Sequence, residues 1–228
     1  MAKQQVAEQE SLGAAMSKTE LFFEKNGRKV ASIFFALLII AGLIFAYRAL
    51  IAQPRVEKAA EMIAAAQAHF DAQTPDFELA LNGDENGAGF LEVVEQYGST
   101  PSGNLAKHYA GVCYLRLGDL ENAAKYLAKF SPVAGIPGAL INAQNLGLQG
   151  DVAVEQGDYA AAVKFFEKAV KASDNLMTAP LYLYKGALAA EAAGDKATAE
   201  AFLKQITKEY PASMEAREAE KMLGAIAQ

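Results

Sequence analysis

One cysteine, two histidines and a shortage of basic charge set the first limits on this 228-residue chain. Cys113 stands alone, so no disulfide can close within the chain, and cysteine usage does not identify a compartment. His69 and His108 are the only imidazoles, too few to suggest a metal site built on histidine. Lys and Arg total 21 against 27 Asp and Glu, a net charge of −6. That balance argues against a nucleic-acid partner, because phosphate binding needs basic patches. It is also expected to hold the domain off anionic lipid surfaces.

Catalytic pairings are missing too. His108 and Cys113 lie five residues apart on one predicted helix and so face different ways, whereas a nucleophile pair needs them adjacent. Cys113 reads as a small buried hydrophobe. The carboxylates mostly sit at helix caps and on exposed helix faces, with no isolated pair for acid–base work. Asn82 to Val93, "NGDENGAGFLEV", imitates a calcium loop, but its last position is Val93 where a bidentate Glu is needed. A polar, glycine-rich turn is the expectation there. The "GAG" inside it follows no strand, so no dinucleotide fingerprint applies. The chain is therefore read as no enzyme, with no cofactor, no metal and no small-molecule substrate.

Long apolar runs are absent with one exception, "VASIFFALLIIAGLIFAY", Val30 to Tyr47. Its 18 uncharged residues make about 27 Å of helix, close to a bilayer's hydrocarbon thickness. It reaches Ile51 if Arg48 snorkels to the headgroups. The run is longer than a signal peptide's apolar core and lacks a small-x-small end, so an uncleaved anchor over 30–51 is expected. Lys18, Lys25, Arg28 and Lys29 precede the span, and Arg48, Arg55 and Lys58 follow it, which weakly favours a cytoplasmic N-terminus. In residues 1–29, Leu12, Ala15, Met16, Thr19, Phe22 and Phe23 fall at helical spacing and end near Asn26-Gly27. That segment reads either as an interfacial helix or as a frayed tail with chance periodicity.

Beyond the span the chain repeats itself. After Pro54 comes an alanine-rich helix, then a short apolar piece, the glycine-rich loop and the helix "FLEVVEQY" (residues 52–101). Then a Gly-Asp pair occurs three times, at Gly118, Gly157 and Gly194, spaced 39 and 37 residues apart. Seven residues before each glycine stands Gly111, Gly150 or Ala187; five after it stands Ala123, Ala162 or Ala199. Small residues are needed there if two antiparallel helices approach closely, while larger ones such as Phe166 fill the space between repeats. Each Gly would end the leading helix and each Asp would cap the next, with Pro211 after the third copy. Residues 212–228 suit a terminal capping helix with one apolar face.

This spacing resembles the tetratricopeptide repeat, well over 102–211 and in degenerate form over 55–101. The resemblance implies an all-α solenoid that binds protein segments along the face formed by each leading helix. The facing positions would be Leu105, His108, Val112 and Arg116, then Gln144, Asp151 and Glu155, then Tyr184, Leu188 and Glu191. Repeats that clamp a terminal carboxylate use Lys and Asn where this chain has His108 and Val112, so a mixed apolar and acidic groove is implied instead. The order of "FFEKNG", one span, and then an alanine-rich helix with repeats also resembles bitopic envelope proteins of Gram-negative bacteria. In those, a periplasmic domain on a single inner-membrane anchor attends the secretion translocon and periplasmic chaperones. The implied role is a membrane-anchored interaction scaffold; the alternatives are a structural subunit of another envelope assembly and a hydrolase on a helical solenoid.

Overall fold

The computed structural model describes the backbone of residues 2–226 and the side chains of residues 22–226. The chain divides into two compact units, Met1–Pro54 and Arg55–Gln228.

The first unit is one helix, α1 (Ala2–Tyr47). It runs straight through Asn26-Gly27, where the sequence reading ends a separate amphipathic segment. One glycine in a helix costs only about 1 kcal/mol, and good helix formers stand on both sides. The Asn26 side chain also donates back to the Phe22 carbonyl at 3.2 Å, which satisfies its polar end inside the helix. The apolar positions from Leu12 to Thr19 fall outside the described side chains. Among the described residues, one helical stretch is long and apolar enough to cross a membrane. Its large side chains from Ile33 to Ile51 are 49–76% exposed, with no cover from the described residues. After Tyr47 the helix widens into a five-residue π turn, Arg48–Ala52, in which Gln53 N–H bonds to the Arg48 carbonyl. Pro54 explains the widening. It carries no N–H and its ring would strike the carbonyl four residues back, so a regular turn cannot continue there.

The second unit opens within α2 (Gln53–Phe70). Then come α3 (Phe77–Asn82), a two-residue antiparallel ladder of Gly83–Asp84 with Gly87–Ala88, and α4 (Phe90–Tyr97). Six helices carry the repeats: α5 (Pro101–Arg116), α6 (Leu120–Lys129), α7 (Ile136–Glu155), α8 (Tyr159–Ala172), α9 (Ala179–Ala192) and α10 (Lys196–Glu209). α11 (Met214–Ile226) closes the stack. Each of these helices packs chiefly on its neighbours in sequence, the arrangement of a solenoid.

The small residues sit where helices touch. A Cβ placed on Gly111 would lie 2.6 Å from Leu127 Cγ, and one on Gly150 would lie 2.6 Å from the Phe166 ring. Ala123, Ala162, Ala187 and Ala199 are buried, and Phe166 is buried between α7, α8 and α9. Gly118, Gly157 and Gly194 do not pack. They are exposed, with φ of 81°, 77° and 78°, the left-handed region in which only glycine is unstrained. In all three turns the following Asp N–H reaches back five residues, to Tyr114, Ala153 and Ala190, which closes the helix end. Asp119, Asp158 and Asp195 then cap α6, α8 and α10 by accepting from Asn122, Ala161 and Thr198 N–H. Pro211 does not pack either; it is exposed just past α10, where Tyr210 takes the buried place.

Candidate protein-binding groove

The leading helices α5 and α7 place Val112, Arg116, Gln144 and Asp151 around one cavity of about 580 Å³. Leu115 and Leu148 extend its apolar floor, and Phe70, Pro75 and Phe77 wall it on the side of α2 and α3. These three come from the region read as a degenerate first helix pair. Their place follows from how α2 and α3 stack on α5: the Phe70 ring meets Phe77 at 5.7 Å, Phe90 at 6.1 Å and Tyr109 at 5.0 Å, each edge-on. A stripe of apolar residues on α2 ending at Phe70 was the signal for this wall, and nothing in the repeat frame extended to it.

A smaller cavity of about 200 Å³ adjoins through Asp151, between α7 and α9, with Leu188, Tyr159 and Lys185 in its lining. Lys185 Nζ donates to both carboxylate oxygens of Asp151, at 2.9 and 2.8 Å, and its charge lies 5.9 Å from the Phe166 ring centre. Of the two acidic positions expected on α7, Asp151 is therefore neutralised. Arg116 is exposed at the end of α5, and among the described residues no ion pair engages it. The groove's unmatched charge is consequently positive, opposite in sign to the domain as a whole.

The remaining predicted groove residues divide. Glu155 and Glu191 are exposed at the ends of α7 and α9. Tyr184 and Leu105 are half-buried against the apolar clusters of the core and line neither cavity. His108 is not a groove residue. It is 1% exposed, and its Nδ1 accepts from Asn145 Nδ2 at 3.1 Å, while Asn145 Oδ1 accepts from Gln149. Burial pushes the imidazole down to about 4, so it stays neutral and ties α5 to α7. His108 and Val112 share one face of α5 a turn apart; Asn145 of α7 and Phe130 cover His108, whereas Val112 lines the cavity.

The other chemistry-bearing residues are spent on the fold. Cys113 is fully buried, and burial pushes its thiol up to about 12, far from thiolate reactivity. Asp84 spends its carboxylate on its own loop, accepting from the Asn86 and Gly87 N–H groups at 2.8 and 3.0 Å. Those bonds, the Asn86 ones first, hold its acid below the usual value.

Two tetratricopeptide-repeat models match the chain, one over residues 148–213 and another over 106–131. No curated protein matches it. The matched stretches lie on α5–α6 and α7–α10 and are similar to tetratricopeptide repeats, modules that bind other proteins and are generally non-catalytic.

Proposed function

We propose that this chain is a non-catalytic, membrane-anchored scaffold that holds protein segments in the groove between α2–α3, α5 and α7. The observation that carries this is the cavity itself. Four leading-helix positions, with Arg116 outside any ion pair among them, converge there with two phenylalanines. A floor of Val112, Leu115 and Leu148 supplies apolar burial, and the aromatics and Arg are the residue types that dominate protein recognition. The span over 30–51 would fix the scaffold in a bilayer, with the repeats in the periplasm and the N-terminus in the cytoplasm. The layout's resemblance to bitopic envelope proteins directs the search to the inner membrane, the secretion translocon and periplasmic chaperones as partners.

The reading is tested by isolating the full chain from crosslinked membranes with Gln144→Ala and Arg116→Ala combined, two exposed side chains of the cavity. Partners seen with the native chain should be lost while helicity and melting are nearly kept. Retention of all partners by this variant overturns the groove.

A further inference from the structure

The two ends of the solenoid carry opposite chemistry. At one end lie the three Gly-Asp turns, with Asp119, Glu121, Glu155, Asp158, Glu191 and Asp195 against Arg116 and Lys196. Among large hydrophobics at those turns only Leu117 is exposed, at 43%. At the other end lie the loops between repeats, and their tips are apolar and bare. Ile136 is 84% exposed, Leu176 78%, Met177 80% and Met214 87%.

The helix leading into each of these loops ends with a lysine in its last turn. Lys129, Lys171 and Lys208 occupy the last turns of α6, α8 and α10, with Lys125, Lys168 and Lys204 one turn earlier. Between Glu121 and Asp151 the chain has no acidic residue at all. At the other two loops Lys171 and Lys204 are paired with Glu167 and Glu200, which leaves Lys168 and Lys208 outside any ion pair among the described residues. Asp174 accepts from the Tyr210 hydroxyl and Glu209 from Gln205, and both keep their charge. Glu215 adds a third acid there, so the basic excess of this edge lies at the first loop.

The same end is where the chain enters the unit. Arg55, the residue after Pro54, donates to the Gln96 carbonyl at 2.7 Å and lies over the Tyr97 ring. Tyr97 leads into α5 through Thr100, whose hydroxyl donates to the Tyr97 carbonyl. Asn104 on that first turn then exchanges two 2.8 Å hydrogen bonds with Ser131 of the first loop. The apolar, lysine-flanked edge is therefore continuous with the point at which the span's chain arrives.

We infer that this edge docks on the headgroup region of an anionic bilayer, with Ile136, Leu176, Met177 and Met214 inserted and the lysines outside any ion pair, Lys125 and Lys129 at the first loop with Lys168 and Lys208, on lipid phosphates. Unbranched and branched aliphatics flanked by long cations are the pattern of interfacial binding. A second copy of the chain fits less well, because pairing this edge with itself opposes lysine to lysine. The net negative charge of the domain does not forbid the contact, since lipid within a Debye length meets the local charge and not the total. The groove reading is not needed for this.

The test uses the full chain in nanodiscs of phosphatidylethanolamine and phosphatidylglycerol, with single labelling cysteines; buried Cys113 stays as it is. Bimane at Ile136→Cys, Met177→Cys and Met214→Cys should be quenched by brominated lipid severalfold more than bimane at Gln156→Cys or Ala193→Cys. Equal quenching at the two ends overturns the inference. Shielding of the loop labels from water without lipid quenching also overturns it, and points to a protein cover.

Discussion

The two ends of the repeat unit solve the same problem, reversing a helix, in different ways. At the Gly-Asp end the three turns share one conformation, the same backbone bonds and the same side-chain cap. At the loop end each connection is held by its own set of bonds. Asn104 grips Ser131 and Asn142 exchanges bonds with Val133 in the first. Asn175 gathers Ser173, Met177 and Thr178 in the second. Tyr210 and Asp174 link the second loop to the third. A turn set by backbone geometry recurs; a turn set by side chains can vary, and it is free to carry surface chemistry. That is why the acidic end is tight and the apolar, basic end is long.

The largest effect is expected behind the loop end, at His108, which touches Phe130 where the first loop begins. Its folded value of about 4 lies below the ordinary 6.5, so the unfolded chain takes up a proton that the folded one does not. Its stabilising share is intact above 6.5 and is lost as pH falls through about 4, a total of roughly 3 kcal/mol. Denaturant melts across that window should show the loss, and His108→Gln should flatten it. An unchanged slope in the variant means the ring is not what couples α5 to α7.

A smaller effect separates the two ends directly. Gly157→Val puts a β-branched residue at φ +77° with open space around it, so only backbone strain opposes it, at about 2 kcal/mol. Met177→Ser, at the opposite end, should change stability by under ~0.5 kcal/mol, as an exposed site usually does. Thermal melts of the two variants check this. Equal losses would erase the distinction between a backbone-set end and a side-chain-set end.

The repeat frame was legible because it is written in small residues and glycines whose roles are local. Gly111 and Gly150 announce a close approach without any knowledge of the whole, and Gly157-Asp158 announces a turn and a cap. The lining of the cavity was half legible. Val112, Arg116, Gln144 and Asp151 follow from the frame, since position on a leading helix fixes which way they face. Phe70 and Phe77 do not, because their wall depends on how an irregular helix pair stacks on the regular ones. Lys185 was missed because it neutralises Asp151 from 34 residues away, across a helix interface that spacing does not reveal. His108 was misplaced because a polar residue at a groove-facing period looks exposed until its buried partner, Asn145, is seen. Net charge hid the polarity of the two ends altogether, since a sum has no direction.

The central claim is that the cavity between α2–α3, α5 and α7 is where partners sit. A photocrosslinking amino acid at Leu148, on the cavity floor, compared with one at Gln156 on the exposed turn, tests it most directly in native membranes. The account predicts protein adducts from position 148 that vanish with Arg116→Ala, and few from position 156. Adducts that persist without Arg116, or that form only from positions within the span, would contradict it.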